Sequence, residues 1–125
     1  MIAHRASRGA LSVAALWLVV VFAGGCGPTV GDACENSTAC GTGLICDQST
    51  PDGYCTRSPC RAGECPEEGV CVDFGAEASW CMRRCEAGQG CRDGLACVAP
   101  DAFDTATECL GATGGSGCKF CAVKP

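Results

Sequence analysis

The 125-residue chain has one histidine, His4, at its extreme N-terminus. Everything downstream therefore lacks an imidazole, which excludes Ser–His–Asp and Cys–His nucleophile arrangements and imidazole metal sites there. Five serines follow residue 25, and the only lysines are Lys119 and Lys124. No pattern supports a Ser–Lys hydrolase, and solvated serines are the simpler reading. Aliphatic side chains are scarce too: from residue 26 onward Leu, Ile, Val and Phe together occur 12 times. So little apolar surface cannot offset the entropy of ordering 100 residues. Positive charge is also short, with 14 Asp and Glu against 7 Lys and Arg from residue 26 onward. That balance excludes nucleic acid as a partner and electrostatic docking on anionic head groups. Finally, no apolar run is long. The longest, Leu11 to Phe22, has 12 residues; as a helix it would cover about 18 Å of a hydrocarbon core of about 30 Å.

What the chain has instead is cysteine, 15 in all. Covalent bonds are expected to replace the missing core. Seven disulfides at about 2–4 kcal/mol each would supply the deficit. Residues 1–25 have the three-part layout of a secretory signal peptide: Arg5 and Arg8 with no acid, the apolar run, then Ala23, Gly24 and Gly25. The two arginines are not adjacent, so general secretion is expected. Export brings oxidising conditions, which favour disulfides over thiolates.

Cys26 directly after Ala23-Gly24-Gly25 resembles the lipobox of bacterial lipoproteins. The resemblance implies a diacylglycerol on the Cys26 sulfur, cleavage between Gly25 and Cys26, and acylation of the new amino group. Ala23 stands where the family usually has Leu. Gly27 stands where its inner-membrane retention signal is usually Asp, which points to the outer membrane. Setting Cys26 aside leaves 14 cysteines, an even number, as complete internal pairing requires. The acyl chains would be the only cofactor-like group.

From Cys34 the cysteines form a ladder of three units: Cys34, Cys40, Cys46, Cys55; Cys60, Cys65, Cys71, Cys81; and Cys85, Cys91, Cys97, Cys109. Side features recur with them. Gly43-Leu44 and Gly94-Leu95 precede the third cysteine of their units, and Gly69-Val70 does so one place later. An aromatic precedes the fourth cysteine as Tyr54 and Trp80, while Glu108 stands there in the third unit. A fixed period with recurring side features implies copies of one structural unit. The expected organisation is a lipidated tether over 26–33, a repeat domain over 34–109 (units 34–59, 60–84 and 85–109), and over 110–125 a Gly-rich linker and a Cys118–Cys121 clip. The expected fold is small, disulfide-rich and mostly irregular, with short hairpins. Asp52-Gly53 is a turn signal. Asp101 to Leu110 is the best helix candidate, with Asp101 as its cap.

The ladder is similar to the cysteine-rich lipoproteins numerous in myxobacteria and, more loosely, to Dickkopf-type and EGF-like modules. The EGF-like resemblance implies pairing first-to-third and second-to-fourth: Cys34 with Cys46 and Cys40 with Cys55. It carries no common ligand or activity.

Two constellations stand apart. Arg83 and Arg84 lie between Cys81 and Cys85, beside Trp80. As a displayed loop these residues would present a protease-inhibitor specificity residue, or grip a carboxylate or a sugar. Cys118-Lys119-Phe120-Cys121 has the spacing of thiol–disulfide catalysts, but it follows a Gly-rich stretch and leaves too few residues for the supporting helix. A structural clip, within the pair or to the third unit, is the favoured reading. Zinc is disfavoured because paired C-x2-C knuckles are missing. No acidic segment has the alternation of a calcium loop. The sequence therefore points to a non-enzymatic, outer-membrane-anchored envelope module, either structural or binding a protein or polysaccharide. A protease inhibitor and a thiol–disulfide oxidoreductase are the alternatives.

Overall fold

The computed structural model describes residues 27–75, 78–86, 89–111 and 118–125. The leader, Cys26 and residues 112–117 of the Gly-rich segment lie outside the described residues. Among those described there is no α-helix: two short 3-10 turns, Ser37–Ala39 and Pro100–Ala102, accompany seven short strands. The fold is small, disulfide-rich and mostly irregular, as the shortage of aliphatic residues requires.

Three antiparallel hairpins form its frame. Strands β1 (Ile45–Asp47) and β2 (Tyr54–Thr56) make the first, with Cys46 opposite Cys55. Strands β3 (Gly69–Asp73) and β4 (Ser79–Arg83) make the second, with Cys71 opposite Cys81. Strand β5 (Ala96–Val98) pairs with β7 (Phe120–Ala122), which sets Cys97 opposite Cys121. Between these two, strand β6 (Glu108–Leu110) leaves its own unit and joins the second sheet beside β3. Its Asp101–Leu110 stretch is not a helix. Pro100–Ala102 closes a single 3-10 turn after Ala99, and the next residues run on to β6, where β3 supplies a ladder of backbone partners.

Turns before the hairpins explain the glycine pattern. Leu44 N–H donates to Gly41 O and Leu95 N–H to Arg92 O, closing four-residue turns whose third residues are Gly43 and Gly94. Both have φ near +80°, at 78° and 87°, a region open to glycine without cost. In the second unit the equivalent turn is Pro66-Glu67-Glu68-Gly69, where glycine is fourth, hence its shift by one place.

Every cysteine from Cys34 to Cys121 is in a disulfide. The first two units pair first-to-third and second-to-fourth: Cys34–Cys46 and Cys40–Cys55, then Cys60–Cys71 and Cys65–Cys81. The third begins the same way with Cys85–Cys97 and then departs. Cys91 bonds Cys121, and Cys109 bonds Cys118. The third unit therefore closes at Cys121 rather than Cys109, and residues 99–119 are an insertion in its hairpin. Register is the reason: the fourth cysteine must lie across the hairpin from the third, and β7 occupies that place. The aromatic before the fourth cysteine is restored as well, since Phe120 precedes Cys121 as Tyr54 precedes Cys55 and Trp80 precedes Cys81.

The two faces of the β4-β3-β6 sheet carry different cores. Odd-numbered β3 and β4 positions put Cys71 and Cys81 with Cys60, Tyr54 and Val30. Even positions put Val70 and Val72 with Val98, Phe120 and Ala122, flanked by Phe74, Met82 and Phe103. Three phenylalanines meet there. Phe103 stacks on Phe120 at 5.8 Å between ring centroids, and Phe74 meets both edge-on at 5.5 and 5.8 Å.

The expected tether over 26–33 also needs correction. Val30 is fully buried. Its N–H donates to Glu68 Oε1 at 3.1 Å, and Gly31 N–H donates to Cys55 O at 2.9 Å. Thr29 to Ala33 thus belong to the folded body, because a buried valine is worth more there than in water.

Candidate functional site: a cleft where the three hairpin units meet

Tyr54 joins the three units at one atom. From β2 its hydroxyl donates to Cys121 O on β7 at 2.9 Å and accepts from the backbone N–H of Arg83 on β4 at 2.9 Å. Burial pushes its pKa up to about 12, against the opposing effects of the Arg83 hydrogen bond and the charges of Arg92 and Arg83. Beside it the buried Thr56 hydroxyl donates to Cys81 O at 2.7 Å, and Cys81 N–H donates to Arg57 O at 2.9 Å. Arg92, from the third unit, donates through Nε to Gly31 O at 3.0 Å and through a terminal nitrogen to Gly53 O. These bonds hold the hairpins in fixed relation.

Over this junction lies a cleft of about 330 Å³. The first hairpin contributes Asp47, Ser49, Tyr54 and Thr56 to its lining. Phe74, Trp80 and Met82 come from the second unit, and Phe103 and Thr105 from the insertion of the third. The volume falls within the range of small-molecule sites, and the composition is theirs as well: apolar walls with a few polar groups. Trp80 and Met82 are half-buried and share a face of β4 because strand side chains alternate. Phe103 is held by its stack on the buried Phe120.

The structure divides the residues that the sequence grouped as one loop. Trp80 faces the cleft. Arg83, three positions on, projects to the opposite face, where its guanidinium donates to Thr29 Oγ1 at 2.8 Å and Val30 O at 3.3 Å. Arg84 is exposed, but its Nε donates to Gly69 O at 2.9 Å and its backbone bridges to Phe120. The arginines are therefore not a displayed tip: their backbone is paired, and Arg83 holds the N-terminal segment in place. Cys118 and Cys121 are not a pair either, since each is bonded to a different partner. The sulfurs of Cys34, Cys40 and Cys46 approach within 4.8 Å of one another, as do those of Cys60, Cys65 and Cys71 and those of Cys85, Cys91 and Cys121. These trios are adjacent disulfides, with no thiolate to offer a metal.

Sequence reasoning singled out Trp80 but missed Asp47, Phe74 and Phe103 as its companions. The one available signal was the aromatic at Phe120, which marks the true fourth cysteine and so places the insertion carrying Phe103. Comparison with protein-family models, with curated proteins and with solved structures finds no match to this chain.

Proposed function

We propose that this protein is an envelope lipoprotein, anchored in the outer membrane by acyl chains on Cys26, and that it works as a non-enzymatic binding module through the cleft over Tyr54. The observation that carries the reading is the use of cysteine. The 14 from Cys34 to Cys121 pair among themselves, so the scaffold makes no demand on Cys26, which follows a leader ending Ala23-Gly24-Gly25. Several acyl chains at about 0.8 kcal/mol per buried methylene give a stable anchor. No helix among the described residues is long and apolar enough to cross a membrane, which suits attachment by lipid. Because Thr29 is bonded to Asp32 and Val30 is buried, the stem between Cys26 and the folded body is no longer than residues 27 and 28. At about 3.5 Å per extended residue, this stem holds the domain roughly 10 Å from the anchor.

The alternatives draw no support from the geometry. An inhibitory loop needs a protruding, unpaired backbone, and Arg83 lies within β4. A catalytic dithiol works by closing a disulfide between its own two cysteines, and Cys118 and Cys121 are bonded elsewhere.

Intact mass of the membrane-extracted protein tests the anchor. The expected mature form begins at Cys26 and carries diacylglycerol and an amide-linked acyl chain, and Cys26→Ser accumulates as the unlipidated precursor. A mature chain beginning elsewhere, or one without lipid, would overturn the proposal.

A further inference from the structure

We infer that the cleft binds a quaternary or fully methylated ammonium group; this rests on the reading of the cleft as a binding site. The first observation is which polar groups are already engaged. The Tyr54 hydroxyl is used twice, and Thr56 Oγ1 donates to Cys81 O. Thr105 Oγ1 is bonded to Thr107 Oγ1 at 2.9 Å, and Ser49 Oγ donates to Asp47 Oδ1 at 2.7 Å. A neutral sugar is recognised through many directional hydrogen bonds, and the Tyr54, Thr56 and Ser49 hydroxyls of this lining already donate within the protein, which leaves few side-chain donors beside the Trp80 indole N–H.

The larger remaining feature of the lining is non-directional. Among the described residues Asp47 is the one charged residue in the lining, and no lysine, arginine or histidine accompanies it there. The hydrogen bonds its carboxylate accepts come from neutral groups: Ser49 N–H at 2.9 Å, the Ser49 hydroxyl and, at 3.5 Å, the Thr50 hydroxyl. The same lining carries the aromatic rings of Phe74, Trp80 and Phe103 and the Met82 thioether. Aromatic faces attract a cation through their quadrupole, most strongly when it is desolvated. A methylated ammonium suits such a site better than a primary one. It is a soft cation with no N–H to satisfy, and its methyl groups fill apolar space. An anion would meet Asp47 with no counter-charge. Both a free choline-like molecule and a phosphocholine head group carry this chemistry.

The experiment uses the mature lipoprotein in a non-ionic detergent. Of the two tryptophans, Trp17 lies in the leader, so fluorescence of the mature form reports Trp80 alone. Choline is expected to change that fluorescence saturably. Dimethylbutanol, its neutral carbon isostere, should bind about tenfold more weakly. Asp47→Asn should weaken choline several-fold, and Phe103→Ala should abolish the response. An unchanged disulfide map, read by mass after proteolysis without reduction, shows that both variants remain folded. Displacement of choline by phosphatidylcholine added to the micelles, but not by phosphatidylglycerol, would assign the group to a lipid head group; insensitivity to both would assign it to a free molecule, and either result supports the inference. Equal binding of choline and its isostere overturns it. Saturable binding of cellobiose without choline overturns it too, while leaving the cleft a binding site. No response to any probe removes both readings.

Discussion

The first and third hairpins have the same cysteine register but very different connections. Cys46 faces Cys55 across a turn, and Cys97 faces Cys121. Eight residues separate the first pair and 23 separate the second. In the first, a compact turn joins the strands, with Thr50 O accepting from Gly53 N–H at 2.9 Å. In the third, the chain leaves the hairpin, lends β6 to the neighbouring sheet, places Phe103 on the cleft, and returns through Cys118. The unit is thus conserved as a geometry, two strands with cysteines opposed, and not as a count of residues. A hairpin tolerates a long connection because closure entropy grows only slowly with loop length. The added chain is fixed to the body by the pairing of β6 with β3 and by the stack of Phe103 on Phe120, and Cys109–Cys118 closes a loop within it.

The largest effect is expected at the tight connection. Gly53 has φ 74°, and a Cβ there would stand 2.8 and 2.9 Å from the sulfurs of Cys34 and Cys46 and would collide with Cys34 O. Backbone strain and steric overlap act together at that position. Gly53→Ala should cost more than about 4 kcal/mol and shift the oxidised product toward mispaired species, read by mass after proteolysis without reduction. A native disulfide map at undiminished yield would show that the first hairpin is as permissive as the third.

Next are the two bonds that set the third unit apart. Removing Cys91–Cys121, of sequence separation 30, should cost more than removing Cys109–Cys118, of separation 9. Loop-closure entropy alone predicts a difference of about 1 kcal/mol. Paired Cys→Ala variants followed by denaturant unfolding measure it. Loss of Cys91–Cys121 should also loosen β7 and with it the Tyr54 bond to Cys121 O. The reverse order, or a Cys91–Cys109 peptide in the native map, would restore Cys109 as the closing cysteine.

The smallest effect belongs to the atom that joins the hairpins. The Tyr54 pKa, raised to about 12 by burial, means that the folded state holds the phenolic proton more tightly than the unfolded state, where the value is near 10. The resulting stability is fully present below pH of about 10 and is lost as pH rises toward about 12, roughly 2–3 kcal/mol in all. Tyr54 is the sole tyrosine, so the ultraviolet absorbance of tyrosinate follows it directly, and Tyr54→Phe should remove this alkaline loss. At neutral pH that variant should cost about 1–3 kcal/mol, since it leaves Arg83 N–H without its partner. An ordinary tyrosine titration would mean that the junction is open to water.

Much of the scaffold was legible before the structure. Disulfides had to replace the core because 12 aliphatic and phenylalanine side chains cannot hold 100 residues. Spacing marked the first two units because each is local: the pairs span 11 to 16 residues. The third unit misled because Cys109 has the expected spacing and yet belongs to a strand that pairs with β3. The sequence grouping of Trp80 with Arg83 failed for a similar reason. Neighbours in a strand alternate between faces, so residues three apart reach opposite cores.

Composition and spacing alone thus determined a small, cysteine-closed, mostly irregular chain of repeated units with short hairpins, because local turns and short disulfide loops depend on few residues. The mates of Cys91, Cys109, Cys118 and Cys121 were decided only by tertiary structure, as were the burial of Val30, the anchoring role of Arg83 and the meeting of Asp47, Phe74, Trp80 and Phe103 in one cleft. Each depends on which distant strand supplies a ladder of hydrogen bonds and an apolar face, and that choice is made by the assembled sheet.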